Sequence, residues 1–231
     1  MHTRELSGVR LVFSSIALTS WLLAARALFE LGPEQAIASA REPIHGREFW
    51  VLRDPSRPTV PWKQARDRDA IRYRLLLEVG LEELLPSFIA TVGAVLDDER
   101  GWTSAGREFV RVDAHEHFAI VLARPGTVDR LCKPLRTGGV YSCGRNGRAT
   151  LNEARWRSGS APWGEELEGY RVYMINHEVG HLLGMPHRKC HEPGQPAAVM
   201  VQQSIGLGGC TAEGWPADFE LERLRKRWAR D

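Results

Sequence analysis

Three histidines and one glutamate lie within eleven consecutive residues near the end of a 231-residue chain that has only eight histidines in all. His177 and His181 are four residues apart, so in a helix their rings project from the same face about one turn apart. Two imidazoles at this spacing bind one zinc ion at about 2.0–2.1 Å. The spacing therefore predicts a helical site for a single Zn²⁺ ion.

The neighbouring residues complete the ligand set and add a base. Gly184 ends the predicted helix, since Pro186 forbids its continuation, and the chain then turns back to bring His187 to the same ion. Three neutral ligands leave one coordination position for water, whose pKa zinc lowers to about 7. Glu178 lies one step round the helix from His177, where it contacts such a water without binding the metal. The predicted chemistry is hydrolysis by activated water, with Glu178 as general base.

The complete pattern, H-E-x-x-H-x-x-G-x-x-H, resembles that of the metzincin clan of zinc metallopeptidases. Metzincins add a methionine turn below the metal, and the stretch PAAVMVQQS supplies Met200 soon after the third histidine. The resemblance implies zinc ligands His177, His181 and His187, general base Glu178, and Met200 as an apolar floor that does not bind the ion. It also implies a peptide or protein substrate.

The chain departs from familiar metzincins at two places. Arg188 follows the third histidine, and this residue matches no familiar branch of the clan. Several metzincins carry a tyrosine just past the methionine turn, whereas this chain has Gln202 and Gln203. The side chain that stabilises the oxyanion is therefore open, with Gln202 as a candidate.

A closer likeness covers Ala70 to about Pro216. The stretches DRLCKPLRTGG, VYMINHEVGHLLG and AAVMVQQSIGLGGC resemble a family of exported, metzincin-like proteins of unknown function from high-GC Gram-positive bacteria. This resemblance implies the fold, the zinc site and the cysteine pattern. It implies no particular substrate.

The strands and helices around the motif predict a single α+β (mixed α/β) domain. The resemblance to metzincins implies that a twisted sheet packs on the active-site helix. Alternating residues predict a strand over Ile71–Val79, and REFVRVD and HFAIVLARP predict two more. Helical spacing marks LEELLPSFIATVGAVLDD, and Asn146-Gly147 predicts a hairpin turn. The resemblance to metzincins suggests that Arg148–Asn152, as an edge strand, pairs with substrate, although an ordinary sheet edge is the alternative.

The first part of the chain predicts export. Leu11–Ala25 is an uncharged apolar run that fits a signal peptide and falls slightly short of a comfortable membrane span, so either a signal peptide or a membrane anchor is expected in 1–31. The Pro- and Arg-rich stretch 32–69 predicts a linker, within which Glu48–Leu52 has strand character. The zinc domain is expected over 70–231.

Cysteine usage agrees with an extracellular or cell-envelope location. The chain has four cysteines and no C-x-x-C, which favours two disulfides over a cysteine-rich zinc site. Three connectivities are possible, and neighbour pairing closes short loops worth about 3 kcal/mol each. The candidates are Cys132, Cys143, Cys190 and Cys210.

A formal net charge of only +2 gives no electrostatic case for a nucleic-acid partner. The sequence therefore predicts an exported or membrane-anchored zinc metallopeptidase, with membrane contact only through an uncleaved N-terminal segment. The alternative is a non-catalytic envelope protein with a structural zinc or peptide-binding site, in which Cys190 or His191 supplies a fourth ligand. The sequence says nothing about oligomeric state.

Overall fold

The structure, a computed structural model, describes residues 37–52, 70–112 and 114–230. The predicted signal peptide or anchor, 1–31, lies outside these residues, as do 32–36 and 53–69 of the predicted linker. Within the described part of the chain, no helix has the length and apolar character needed to cross a membrane.

The described residues form an α+β fold around one mixed sheet, as the sequence predicts. The sheet has the strand order β1-β2-β3-β5-β7-β6, and β4 pairs with the first half of β3. Strands β3, β5 and β7 run parallel, while β1, β2 and β6 join antiparallel to their neighbours. The bounds are β1 Ile37–Ile44, β2 Arg47–Leu52, β3 Ala70–Glu78, β4 Glu108–Arg111, β5 Phe118–Ala123, β6 Cys143–Arg145 and β7 Arg148–Asn152.

Five α-helices accompany the sheet among the described residues. The predicted first helix and the histidine helix are both present, and a further helix closes the chain. Two short helices after β5 and β7 have no strong periodicity in the sequence and were not predicted. The bounds are α1 Leu85–Asp97, α2 Pro125–Leu131, α3 Glu153–Ser158, α4 Leu167–Leu182 and α5 Asp218–Trp228.

The sheet is buried on both faces, which explains its apolar central strand. Phe118–Ala123 is buried at every position, as expected for a parallel strand covered on two sides. Its Ile120 and Leu122 face the larger core, which α1, α4 and α5 complete, while Ala119 and Val121 face the smaller core under α2. This arrangement fixes α4 against the sheet.

Part of the predicted linker belongs to the sheet. Ile37–Leu52 forms a hairpin whose second strand pairs antiparallel with β3, so the strand character of Glu48–Leu52 is confirmed. Phe49 is fully buried in the smaller core, and this burial explains why the segment docks despite its polar neighbours. The linker prediction therefore does not hold for 37–52.

Two disulfides connect the four cysteines in neighbour pairing. Cys132 bonds with Cys143 and Cys190 with Cys210, and no cysteine of the chain is free. The first closes the segment between α2 and β6, and the second closes the loop around the predicted methionine turn. Such bonds persist in an extracellular or otherwise oxidising environment, as the sequence predicts.

Candidate metal centre

Helix α4 carries the first two histidines through the middle of the protein. The residues from Tyr173 to Gly180 are all buried, because the sheet lies on one side of the helix and loops cover the other. Its buried side chains therefore point in all directions around the helix axis and do not form one apolar face. A helix held on every side gives its polar residues fixed positions.

The three predicted ligands converge. Potential ligand atoms of His177, His181 and His187 all lie within 4.8 Å of one another. The Nδ1 atom of His177 is 2.8 Å from the carbonyl oxygen of Val199, and that of His181 is 3.0 Å from the carbonyl oxygen of Met185. A carbonyl oxygen can only accept, so both Nδ1 atoms donate and both Nε2 atoms keep their lone pairs.

This donor set fits a metal ion. The Nε2 atoms of His181 and His187 are 2.9 Å apart, close to the separation of about 3.3 Å between nitrogens that share a tetrahedral zinc ion. Burial lowers the pKa of His177 to about 3 and that of His181 to about 4, and it lowers the pKa of His187. The three imidazoles are therefore neutral at pH 7, as metal ligands must be.

Glu178 lies beside the histidines with its side chain buried. Burial raises the pKa of its carboxyl to about 8, and a hydrogen bond donated by the Gly144 N–H partly opposes this rise. Strand β6 runs against α4 at this point. A Cβ atom added to Gly144 would lie 2.1 Å from the Glu178 carbonyl oxygen, so only glycine fits here. With this pKa the Glu178 carboxyl is mostly protonated at pH 7 in the metal-free protein.

Met200, for which the resemblance implies the role of an apolar floor, packs against the helix that carries His177 and His181. Its side chain is fully buried, and its sulfur packs against α4 at Gly180. The backbone of this turn also supports the ligands, because the preceding residue, Val199, accepts the hydrogen bond from His177. The carbonyl oxygen of Met200 accepts from the N–H of Arg188, which follows the third histidine.

Gly184 ends α4 as predicted. It has φ +78°, a left-handed conformation that favours glycine, and its N–H donates to the His181 carbonyl oxygen. The guanidinium of Arg227 from α5 occupies the space where a Cβ would stand. The reversal lets His187 return to the other two histidines.

The histidines lie at the base of an open cleft of about 200 Å³. One wall comes from residues 135–143 and the other from residues 202–205. Both walls lie inside disulfide-closed segments, bounded by Cys132–Cys143 and Cys190–Cys210. Gln202 lines the cleft and is exposed to solvent.

Two other expectations need correction. Strand β7, Arg148–Asn152, pairs with both β5 and β6 and is not an edge; the edge strand next to the cleft is β6. Cys190 is in a disulfide and so offers no thiolate to a metal. Among the described residues, the group able to hold an ion contains only the three histidines. Gln203 is buried and serves the loop, donating to Ala198 and Glu213.

The sequence did not reveal Gly144 or Glu220 as parts of the site. Glu220 is fully buried in α5 and accepts backbone N–H bonds from Val199 and Met200. It also accepts from Ala217, as the third residue of a helix does in a capping box. A glutamate at the third position of a helix is common at helix starts, so this part of its role could be predicted from the sequence. Its contact with Val199 and Met200 joins residues distant in sequence and could not.

The fold and site thus define a disulfide-bonded α+β domain with three histidines able to hold a metal ion. Residues 55–218 match a family described as proteins of unknown function (DUF3152), which is well over half of the chain. The chain belongs to this family, and the predicted membership in a family of unknown function is confirmed. No curated protein and no solved structure matches the chain significantly.

Proposed function

We propose that this protein is an exported zinc-dependent metallopeptidase of the metzincin type, acting outside the cytoplasmic membrane. The proposal rests mainly on one observation: the neutral imidazoles of His177, His181 and His187 converge beside the buried Glu178 carboxyl at the base of an open cleft. Three protein ligands with no fourth among the described residues are typical of catalytic zinc sites, whereas structural sites are closed by four.

The residues of the chain divide the chemistry between them. When bound, a zinc ion supplies Lewis acidity, which acidifies water and polarises a carbonyl group. His177 and His181 hold their Nε2 atoms in place through the hydrogen bonds that their Nδ1 atoms donate. Glu178 accepts the proton of the attacking water on its carboxylate and delivers it to the departing amide nitrogen. Gln202 is the proposed hydrogen-bond donor to the oxyanion.

The shape and surface of the cleft suit a peptide. Three large apolar side chains that line it are exposed to solvent, namely Leu135, Tyr141 and Ile205. Grouped exposed apolar residues in a cleft are a feature of binding sites. Among the described residues no second strand pairs with the edge strand β6, and we propose that an extended substrate backbone pairs there, the role that the sequence suggested for β7.

The test compares the wild type with Glu178→Ala on a peptide library. The wild type should bind one zinc ion and cleave peptides, while Glu178→Ala should keep the ion and lose a factor of about 10²–10⁴ in rate. Glu168→Ala changes an exposed carboxylate on the same helix and should retain full activity. A zinc-loaded wild type that cleaves nothing, or full activity in Glu178→Ala, contradicts the proposal.

A further inference from the structure

The loop that brings the third histidine to the site is residues 183–200, here termed the His187 loop. Its first end is the left-handed turn at Gly184, and its second end is the turn at Val199 and Met200. His187 lies between these ends, is exposed, and its ring contacts the rings of His177 and His181. The position of its ring therefore depends on how firmly the two ends are fixed.

Helix α5 contacts the second end through Glu220. Its two carboxylate oxygens accept from the Val199 N–H at 3.0 Å and from the Met200 N–H at 3.1 Å. The carbonyl oxygens of the same two residues accept bonds from the other side: Val199 from the His177 ring, and Met200 from the N–H of Arg188, which follows His187. The Glu220 carboxylate thus holds the N–H side of the turn, and this fixes the carbonyl oxygens of Val199 and Met200 on its other side.

The same helix contacts the first end through Arg227. Its Nη1 atom donates to the carbonyl oxygen of Leu183 at 3.0 Å, and its guanidinium packs where a side chain of Gly184 would be. A cation at this place also meets the negative end of the α4 dipole. Between the two ends, the guanidinium of Arg188 lies 5.6 Å from the ring of Phe219, also on α5.

We propose that Glu220 and Arg227 are positioning residues of the metal site, which hold the two ends of the His187 loop so that helix α5 sets the affinity for the ion. The inference rests on metal binding by the three histidines, which is one part of the proposed function, and not on peptide cleavage. Residues that orient metal ligands typically change metal affinity 10- to 100-fold when replaced.

The experiment measures zinc dissociation constants of the full chain by competition with a chromogenic chelator, below the unfolding temperature of every variant. Glu220→Gln keeps one acceptor oxygen and should bind zinc about 10- to 100-fold more weakly. Arg227→Gln, an exposed change, should weaken binding about threefold. The absorption spectrum of the Co²⁺-loaded protein should change in Glu220→Gln, because the spectrum reports ligand geometry.

Two matched controls separate positioning from general stability. Glu78 is an equally buried carboxylate that accepts from the Arg124 N–H at 2.7 Å and from Thr127 Oγ1 at 2.9 Å, with no link to the histidines. Glu78→Gln should lose stability yet keep wild-type zinc affinity. Arg225, on the same helix, donates to the Ser104 carbonyl oxygen instead, so Arg225→Gln should also keep it.

Unchanged zinc affinity in Glu220→Gln, or an equal loss in Glu78→Gln, overturns the inference. If Glu220→Gln does not fold, the pair Arg227→Gln and Arg225→Gln decides, and equal affinities in that pair overturn it. A wild type that binds zinc tightly but cleaves no peptide refutes the peptidase proposal and leaves the positioning role standing. A wild type that binds no metal refutes both.

Discussion

Replacing Glu178 with glutamine should make the metal-free protein progressively more stable than the wild type as the pH rises. Burial raises the pKa of the Glu178 carboxyl to about 8 from its ordinary value near 4.5. Between these two values the folded state holds a proton that the unfolded chain has released. Stability from this group is therefore complete below about pH 4.5 and is lost as the pH rises through 8.

The size of the effect follows from the pKa difference. Each pH unit inside the window costs about 1.4 kcal/mol, so at pH 7 the carboxyl lowers the free energy of unfolding by on the order of 3 kcal/mol relative to pH 4.5. Glutamine has nearly the same shape and no charge, so it escapes this loss. The histidines have lowered pKa values and reduce stability as the pH falls below about 6.5, but they do so in both proteins.

Urea unfolding of the metal-free proteins at pH 5, 6, 7 and 8, with a chelator present, measures the difference. It should grow by about 1.4 kcal/mol per pH unit in favour of Glu178→Gln. Glu82→Gln is the control: for Glu82, burial is outweighed by hydrogen bonds from the Gly80 N–H and Trp50 Nε1, and its pKa is lowered. Its difference from wild type should be constant over this range. Parallel stability curves for Glu178→Gln and wild type would refute the argument.

Two further substitutions test the surroundings of the site. Gly144→Ala places a Cβ 2.1 Å from the Glu178 carbonyl oxygen and should lower both the melting temperature and kcat/KM. Gly126→Ala is the control and should lower neither, because nothing lies within 4 Å of its added Cβ. Equal melting temperatures for the two variants would contradict the close approach at Gly144. Ile205→Ser should reduce kcat/KM for peptides with bulky apolar residues about tenfold. Ile205→Val, which keeps an apolar side chain at the same place, should retain kcat/KM, and matching losses in the two variants would remove the apolar wall from substrate binding.

The buried titratable residues of the candidate metal site destabilise the metal-free fold. A buried carboxyl with a raised pKa and three imidazoles with lowered pKa values oppose stability from the two ends of the pH range. A divalent cation in their midst relieves both effects, because it favours the ionised carboxyl and uses the neutral imidazoles. Such an arrangement is typical of a functional site and has no structural advantage of its own.

Features that depend on local geometry can be predicted from the amino-acid sequence alone. The spacing of His177 and His181 fixes two rings on one face of a helix whatever the helix packs against. Gly184 ends that helix because its φ is positive, and Asn146-Gly147 turns the hairpin because both residues have positive φ. Strand β3 and helix α1 follow from the periodicity of their apolar residues, and strand β5 follows from its continuous apolar run.

Contacts between elements that are distant in sequence could not be predicted and are known from the folded structure. Glu220 stands 43 positions after His177 and holds the turn that accepts its hydrogen bond, and no short-range pattern predicts such a contact. β6 is the edge strand and β7 an interior one because β7 pairs with β5, a parallel strand from far back along the chain. The hairpin of β1 and β2 looked like a linker by composition, yet the burial of Phe49 places it in the sheet. Parallel pairing and loop docking join residues distant in sequence, so their outcome depends on which surfaces bury most apolar area together.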